Sequence, residues 1–375
     1  MAHTSANQPA TAQSLTIPRG AALYIGAILG PGLLLLPGLA AAEAGPASIL
    51  AWLGLLGLSG LFAAVFSALG RHIPSAGGVM GYVTAGLGPR AGRATGWMFL
   101  AGVIGGAPIV CLIGASYVTD LTGGGQLARA AVAAATLMFS FVGWEAVAPL
   151  TTRFAEPSRQ LPRAVAIALA VTTALYLGLA VATISVLGPR AATDVPLAAL
   201  LSRAIGAAGP DAAAVAAIVL TIGAVNAYIS GAGAIAGQLA PAVPGSRRPA
   251  PMLWLLTAIA AAGLLLITVY GLRIVAAAEL VAVPTALFLT VYLGAMAAAV
   301  RLLCGPARLA ALPGALAVGV MLGFCGWVLA IPAAVALAAC WRPRAAARRE
   351  RSAARPAPAV RCPGTAREHP LMAAR

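Results

Sequence analysis

Along most of this chain, apolar residues come in runs of about 20, the length a helix needs to cross a bilayer, separated by short polar or charged breaks. Ten such runs can be drawn, at 20–43, 47–70, 95–119, 128–150, 164–187, 212–239, 250–271, 275–300, 309–325 and 327–341. The last two flank a tight Gly326-Trp327 turn. Strands do not compete, because membrane-barrel strands are about 10 residues long and alternate in polarity. The pattern predicts an all-α, polytopic membrane protein.

Composition strengthens that reading. Hydrophobic residues make up 61% of the 375 and charged residues 9%, with a mean hydropathy of +0.94. A soluble domain carries about 25% charged residues to solvate its surface, and this chain has far too few.

Charge then sets an orientation. All 24 basic residues are arginine, against 9 acids. With the N-terminus inside, 20 arginines fall on the cytoplasmic side, and only Arg129, Arg190, Arg203 and Arg273 fall outside. This is the asymmetry of the positive-inside rule. An even number of spans keeps the tail inside, which favours two helices rather than one between Leu309 and Trp341. The expected organisation is a cytoplasmic segment at 1–19, a transmembrane domain at 20–341 and a disordered, arginine-rich cytoplasmic tail at 342–375. The net charge of +15 needs no nucleic acid to explain it. The polar start of the chain does not read as a cleavable signal peptide, since the first apolar run is too long and begins too late. The expected location is the cell inner membrane.

Several chemistries lose their residues. Cys111, Cys304, Cys325 and Cys340 sit in apolar stretches and Cys362 in the tail, with no metal spacing, so they read as small core hydrophobes. His3, His72 and His369 lie outside the apolar runs, which excludes a haem-binding bundle or a histidine proton relay. The nine acids are scattered, whereas membrane enzymes cluster carboxylates or histidines for acid–base or metal work. Neither an enzyme nor a cofactor or metal is expected.

Two helix breaks stand out. In the first span, Gly30-Pro31-Gly32 interrupts the hydrogen-bond ladder, because proline lacks an N–H and clashes with the preceding turn. Freed backbone groups are tolerated at membrane depth only where they line a protein-enclosed cavity, and half-helix N-termini can face an anion such as a carboxylate. A simple kink is the other reading. In the fourth span, Phe141-Val142-Gly143-Trp144-Glu145 precedes Pro149 and forms a second interruption. Glu145 is the only acid well inside a span, and an embedded acid must face a cavity or a partner. It reads as a titrating group, or as a structural carboxyl buried between helices. Asn226 and Tyr228, set among small residues in mid-span, suggest helix-to-helix hydrogen bonds.

At these breaks the sequence resembles an amino acid permease of the amino acid–polyamine–organocation superfamily. The resemblance runs through Gly30-Pro31-Gly32, Pro37, Ala44-Gly45-Pro46, the stretch from Arg71 to Val79 (RHIPSAGGV), Gly96-Trp97 and Phe141 to Glu145. It continues through Glu156-Pro157 and Leu161-Pro162-Arg163-Ala164. Later segments, including Asn226-Ala227-Tyr228-Ile229 and Gly326-Trp327, most resemble the bacterial methionine and branched-chain amino acid exporter branch. The resemblance implies an inverted-repeat (LeuT-like) bundle of two five-helix repeats plus two accessory helices. It also implies proton-coupled export of small neutral amino acids. Carried over by position, Ile28, Gly30 and Gly32 would meet the substrate carboxylate. Phe141, Gly143 and Trp144 would supply carbonyls and an aromatic wall, Asn226 would join the substrate site, and Glu145 would be the proton-coupling or gating acid. The implied partners are an amino acid, protons and the lipid bilayer, with a homodimer left open.

Three departures accompany the resemblance. Pro31 replaces the usual Ser or Thr between the glycines, removing an N–H and a hydroxyl. Arg153 and Glu156 stand where the family usually has an acid and Asn. Between Val118 and Arg129 the family has two further spans, its fourth and fifth helices, where this chain has about ten residues. A transport-inactive truncated permease or an accessory membrane protein is therefore the alternative reading.

Overall fold

The computed structural model describes residues 14–121, 143–193, 195–239, 251–271, 277–323 and 325–340. Among them the chain is helical, with one isolated parallel bridge between Leu15 and Phe154 and no strand. Helices suit apolar surroundings because every backbone group finds its partner within the segment.

In chain order the helices are α1 (Ile17–Ala44), α2 (Ser48–His72), α3 (Val79–Leu87), α4 (Pro89–Leu121) and the single turn α5 (Trp144–Val147), which runs on as a tighter 3-10 turn over Ala148–Arg153. There follow α6 (Pro157–Ala182) with a π turn at Thr183–Leu187, α7 (Pro196–Ile205), α8 (Gly209–Leu239), α9 (Pro251–Gly271), α10 (Ala277–Leu302), α11 (Pro306–Gly323) and α12 (Ala330–Cys340).

The apolar runs anticipate most of these helices, and the 3-10 turn at Gly326–Leu329 separates α11 from α12 where the sequence places a hairpin. Two helices, α3 and α7, lie outside the drawn runs. At 9 and 10 residues they are too short to register against a span-length window. Between α3 and α4, Gly88 sits at φ 95, a region open to glycine at little cost, and Pro89 then begins α4. The expected span at 128–150 falls largely on 122–142, outside the described residues, as does the expected tail at 342–375.

Five stretches of the described chain are long and apolar enough to cross a membrane: Gly45–His72, Pro157–Arg190, Pro196–Leu239, Val283–Leu302 and Pro306–Gly323. Large apolar side chains such as Leu50, Leu264, Leu316 and Leu337 lie exposed on the outside, a surface that water would penalise and lipid would not.

Inside, α1 packs along α6 and α8, α2 along α6, and α4 against α3, α8 and α10. Aromatic rings fill the centre. Tyr292 of α10 stands edge-on between Phe62 and Phe66 of α2, with centroids 4.9 and 5.3 Å away, and Phe288 meets Phe99 of α4 at 5.8 Å. Cys325 is buried and free and Cys340 is exposed and free. Cys304 is disulfide-bonded, so the expectation of inert core cysteines does not hold there.

Candidate functional site

The break in α1 is where the sequence places it. Gly30 has φ 10 and ψ −149, outside the helical range, between two helical halves. Without the Pro31 N–H the ladder cannot close across this point, and the carbonyls just before it need other donors. One comes from α6: the Tyr176 hydroxyl donates to the Ile28 carbonyl at 3.0 Å. Tyr176 is held in place by Trp52 of α2, stacked on it with centroids 5.3 Å apart.

The start of α5, where the sequence places the second break, touches the first. Gly143, just before α5, lies so close to α1 that a Cβ on it would stand 2.8 Å from Ile28 Cγ1 and 3.0 Å from Ile28 Cα. Only glycine permits that approach. On its far side α5 rests on α8, where a Cβ at Gly231 would stand 2.2 Å from the Ala146 carbonyl oxygen. Gly30 likewise faces Ala224 of α8, leaving 3.2 Å for an added Cβ. Small residues thus bring the break in α1, the start of α5 and α8 to near backbone contact.

Glu145 sits at this junction and is fully buried. The Gly143 N–H donates to its Oε2 at 2.9 Å and the Tyr228 hydroxyl donates to its Oε1 at 3.1 Å. Tyr292 stands at the same carboxylate and at the Gly143 and Trp144 peptide groups, yet its hydroxyl closes no hydrogen bond of good geometry. The carboxylate thus has a partner on each oxygen and a second phenol beside it. Such satisfaction is what a polar group at membrane depth requires.

Trp144 is buried and anchored. Its indole N–H donates to Ser59 Oγ of α2 at 3.1 Å, and its ring lies 5.5 Å from Tyr24 of α1. The void beside Tyr228, bounded by Gly102 and Gly106 of α4, Val225 of α8 and Phe288 of α10, is about 10 Å³. That admits about one water molecule.

The structure therefore brings together Ile28, Gly30, Gly143, Trp144 and Glu145. Gly32 follows as a buried residue in the second half of α1. Phe141 lies outside the described residues. Asn226 is turned away: it is exposed, while Tyr228, about 200° further around the helix, is the residue of α8 that faces Glu145. Sequence reasoning passed over Tyr176 and Tyr292. The available signal was a phenol in mid-span, whose hydroxyl needs a partner when buried.

Residues 15–131 match the amino acid permease family. Over 404 aligned residues, covering 88% of this chain and 95% of the relative, the sequence is 29% identical to YecA of Bacillus subtilis (strain 168), named an uncharacterized amino acid permease. Over these segments the chain is similar to amino acid permeases. Over 105 residues it is also 42% identical to the L-methionine/branched-chain amino acid exporter YjeH of Escherichia coli (strain K12), covering 28% of this chain and 25% of that protein. The kinship is with transporters rather than enzymes, and with the apolar helices it makes this a multi-pass membrane protein. The family match takes in the Gly30 break and the Arg71–Val79 stretch and ends before Gly143 and Glu145.

Proposed function

We propose that this protein is a secondary active transporter of small neutral amino acids in the cell membrane, exporting methionine and branched-chain amino acids with proton coupling at Glu145. The observation that carries this reading is the meeting of two helix breaks around one buried carboxyl. Broken helices at corresponding places are the strongest pointer to a transporter's substrate site. In this reading the α1 break at Ile28, Gly30 and Gly32 takes the substrate carboxylate, and the α5 break takes the ammonium. Substrate entry in this reading parts the Tyr176 and Tyr228 bonds, which occupy the polar groups of the two breaks. A proton on Glu145 would turn one acceptor oxygen into a donor and weaken one of its two present bonds, linking protonation to the same opening.

Purified protein in liposomes loaded with labelled methionine or leucine tests the proposal. Release several-fold faster than from equally loaded, protein-free liposomes, increased by a proton gradient of the right direction, is expected; release at the protein-free rate overturns it.

One observation favours the second reading, a transport-inactive permease or accessory protein. The alignment to YecA spans 404 positions, more than this chain's 375 residues, and 88% of the chain is about 330, so about 70 positions have no counterpart here. Two membrane helices of about 20 residues with their loops would account for that gap. Protein that binds no neutral amino acid by calorimetry but co-purifies with another permease would favour this second reading.

A further inference from the structure

α12 packs on α4, and between them runs a groove of about 380 Å³ walled by Trp97, Leu100, Ala101 and Ile104 of α4 and by Val335 and Ala338 of α12. Its side chains are apolar apart from the indole N–H, and an alanine on each helix leaves the room. At one end the Arg93 Nε–H donates to the Ala339 carbonyl at 2.8 Å, which ties the two walls together. Arg90 lies two turns before Trp97 on the same face of α4 and is exposed. Arg301 of α10, also exposed, reaches this end of the bundle, donating to the Gly86 carbonyl just ahead of α4 at 3.4 Å. The acids of α4 and α10, Asp120 and Glu279, stand at the opposite ends of their helices. The mouth of the groove is therefore positively charged.

The ring of Trp97 lies 6.4 Å from that of Trp254 in the first turn of α9. Two tryptophans at one level, with arginines beyond them, mark the edge of a bilayer. From Trp97 to Ile104 the groove runs about 10 Å deeper, at 1.5 Å per residue, into the acyl-chain layer. An empty groove at that depth forfeits van der Waals contacts on both walls, so it calls for an occupant.

The chain's own neighbouring stretches suit it poorly. Residues 341–351 carry five arginines and a glutamate, and residues 240–250 carry two arginines and three prolines. Residues 122–142 leave α4 at Leu121, about 25 Å beyond Ile104 along the helix. A hydrocarbon chain fits the slot. The guanidinium fork matches phosphate oxygens, and basic pockets between membrane helices hold anionic headgroups.

We propose that the groove between α4 and α12 binds one anionic phospholipid, with an acyl chain along Leu100, Ala101 and Ile104 and its phosphate at Arg90. The inference rests on membrane insertion alone, so it stands or falls separately from substrate and transport.

The test is native mass spectrometry of the full-length protein, released from micelles containing phosphatidylglycerol and phosphatidylcholine with identical chains. One phosphatidylglycerol retained in preference to phosphatidylcholine is expected. Arg90→Gln should weaken that retention about five-fold, the effect of one charge near the surface, and Arg90→Lys should keep most of it. Ala338→Phe, at an exposed position, fills the groove and should expel lipid of either headgroup. Equal retention of the two lipids by the wild type, or retention unchanged in either Arg90→Gln or Ala338→Phe, overturns the proposal. A phosphatidylglycerol with a photoreactive acyl chain should label the peptides holding Leu100 to Ile104 and Val335 to Ala338. Labelling spread evenly over the exposed helices overturns it, as does a groove blocked to the probe by residues 341–375.

Discussion

The decisive contacts at the junction are single atoms. Gly143 is glycine because Ile28 backbone and side chain occupy the place of a Cβ. Gly143→Ala should force the breaks apart, costing about 1–3 kcal/mol of stability as overpacking does. It should appear as a lowered thermal midpoint in detergent; an unchanged midpoint would contradict the packing described. Glu145 has an acceptor bond on each oxygen. Glu145→Gln keeps the shape but cannot exchange a proton, so transport between about pH 5 and pH 8 should lose its pH dependence. A variant with the wild-type profile would remove Glu145 from proton coupling. Both residues are legible in the sequence, as a glycine before a helix start and as a lone acid in an apolar span. Asn226 and Tyr228 are not separable that way. Both are polar, both are mid-span, and only the azimuth of α8 decides which one faces the carboxylate.

Among the elements, the broken helix α1 depends on its neighbours. Its freed Ile28 carbonyl is served by Tyr176 from α6, 148 positions away in sequence, which no local pattern reports. Tyr176→Phe should leave that carbonyl unsatisfied in a dry site, a cost of about 1–3 kcal/mol. The expected result is faster exchange of the amides around Gly30 in hydrogen-exchange mass spectrometry with the other helices unaffected; unchanged protection would show that the bond does not hold the break. The short helices α3 and α7 illustrate a different blindness. Their boundaries come from glycine and proline punctuation, at Gly78, Gly88 and Pro89 for α3 and at Pro196 and Gly206 for α7, while hydropathy averaged over a membrane thickness smooths them away. At Gly78 the backbone has φ 49, and an added Cβ would collide with Pro149 at 2.6 Å, so the punctuation there also seats α3 under the 3-10 turn that follows α5.

For the whole molecule, arginine placement predicts a topology in which the link before α7 is outside and the link between α10 and α11 is inside. In a cysteine-free background, Arg190→Cys should react with a membrane-impermeant maleimide on intact cells, and Arg308→Cys only after permeabilisation; the reverse pattern would invert the orientation. The sequence by itself determined that this is a helical membrane protein, where its main helices run, where α1 breaks and which acid is embedded. Those properties follow from local chain chemistry: apolar run length, the missing proline N–H and the cost of an isolated charge in lipid. Only the tertiary structure decided that the two breaks touch, that Tyr176, Tyr228 and Tyr292 converge on them, and that Asn226 looks outward. Those depend on how helices far apart in the chain rotate and approach, which close packing at Gly30, Gly143 and Gly231 settles and hydropathy does not encode.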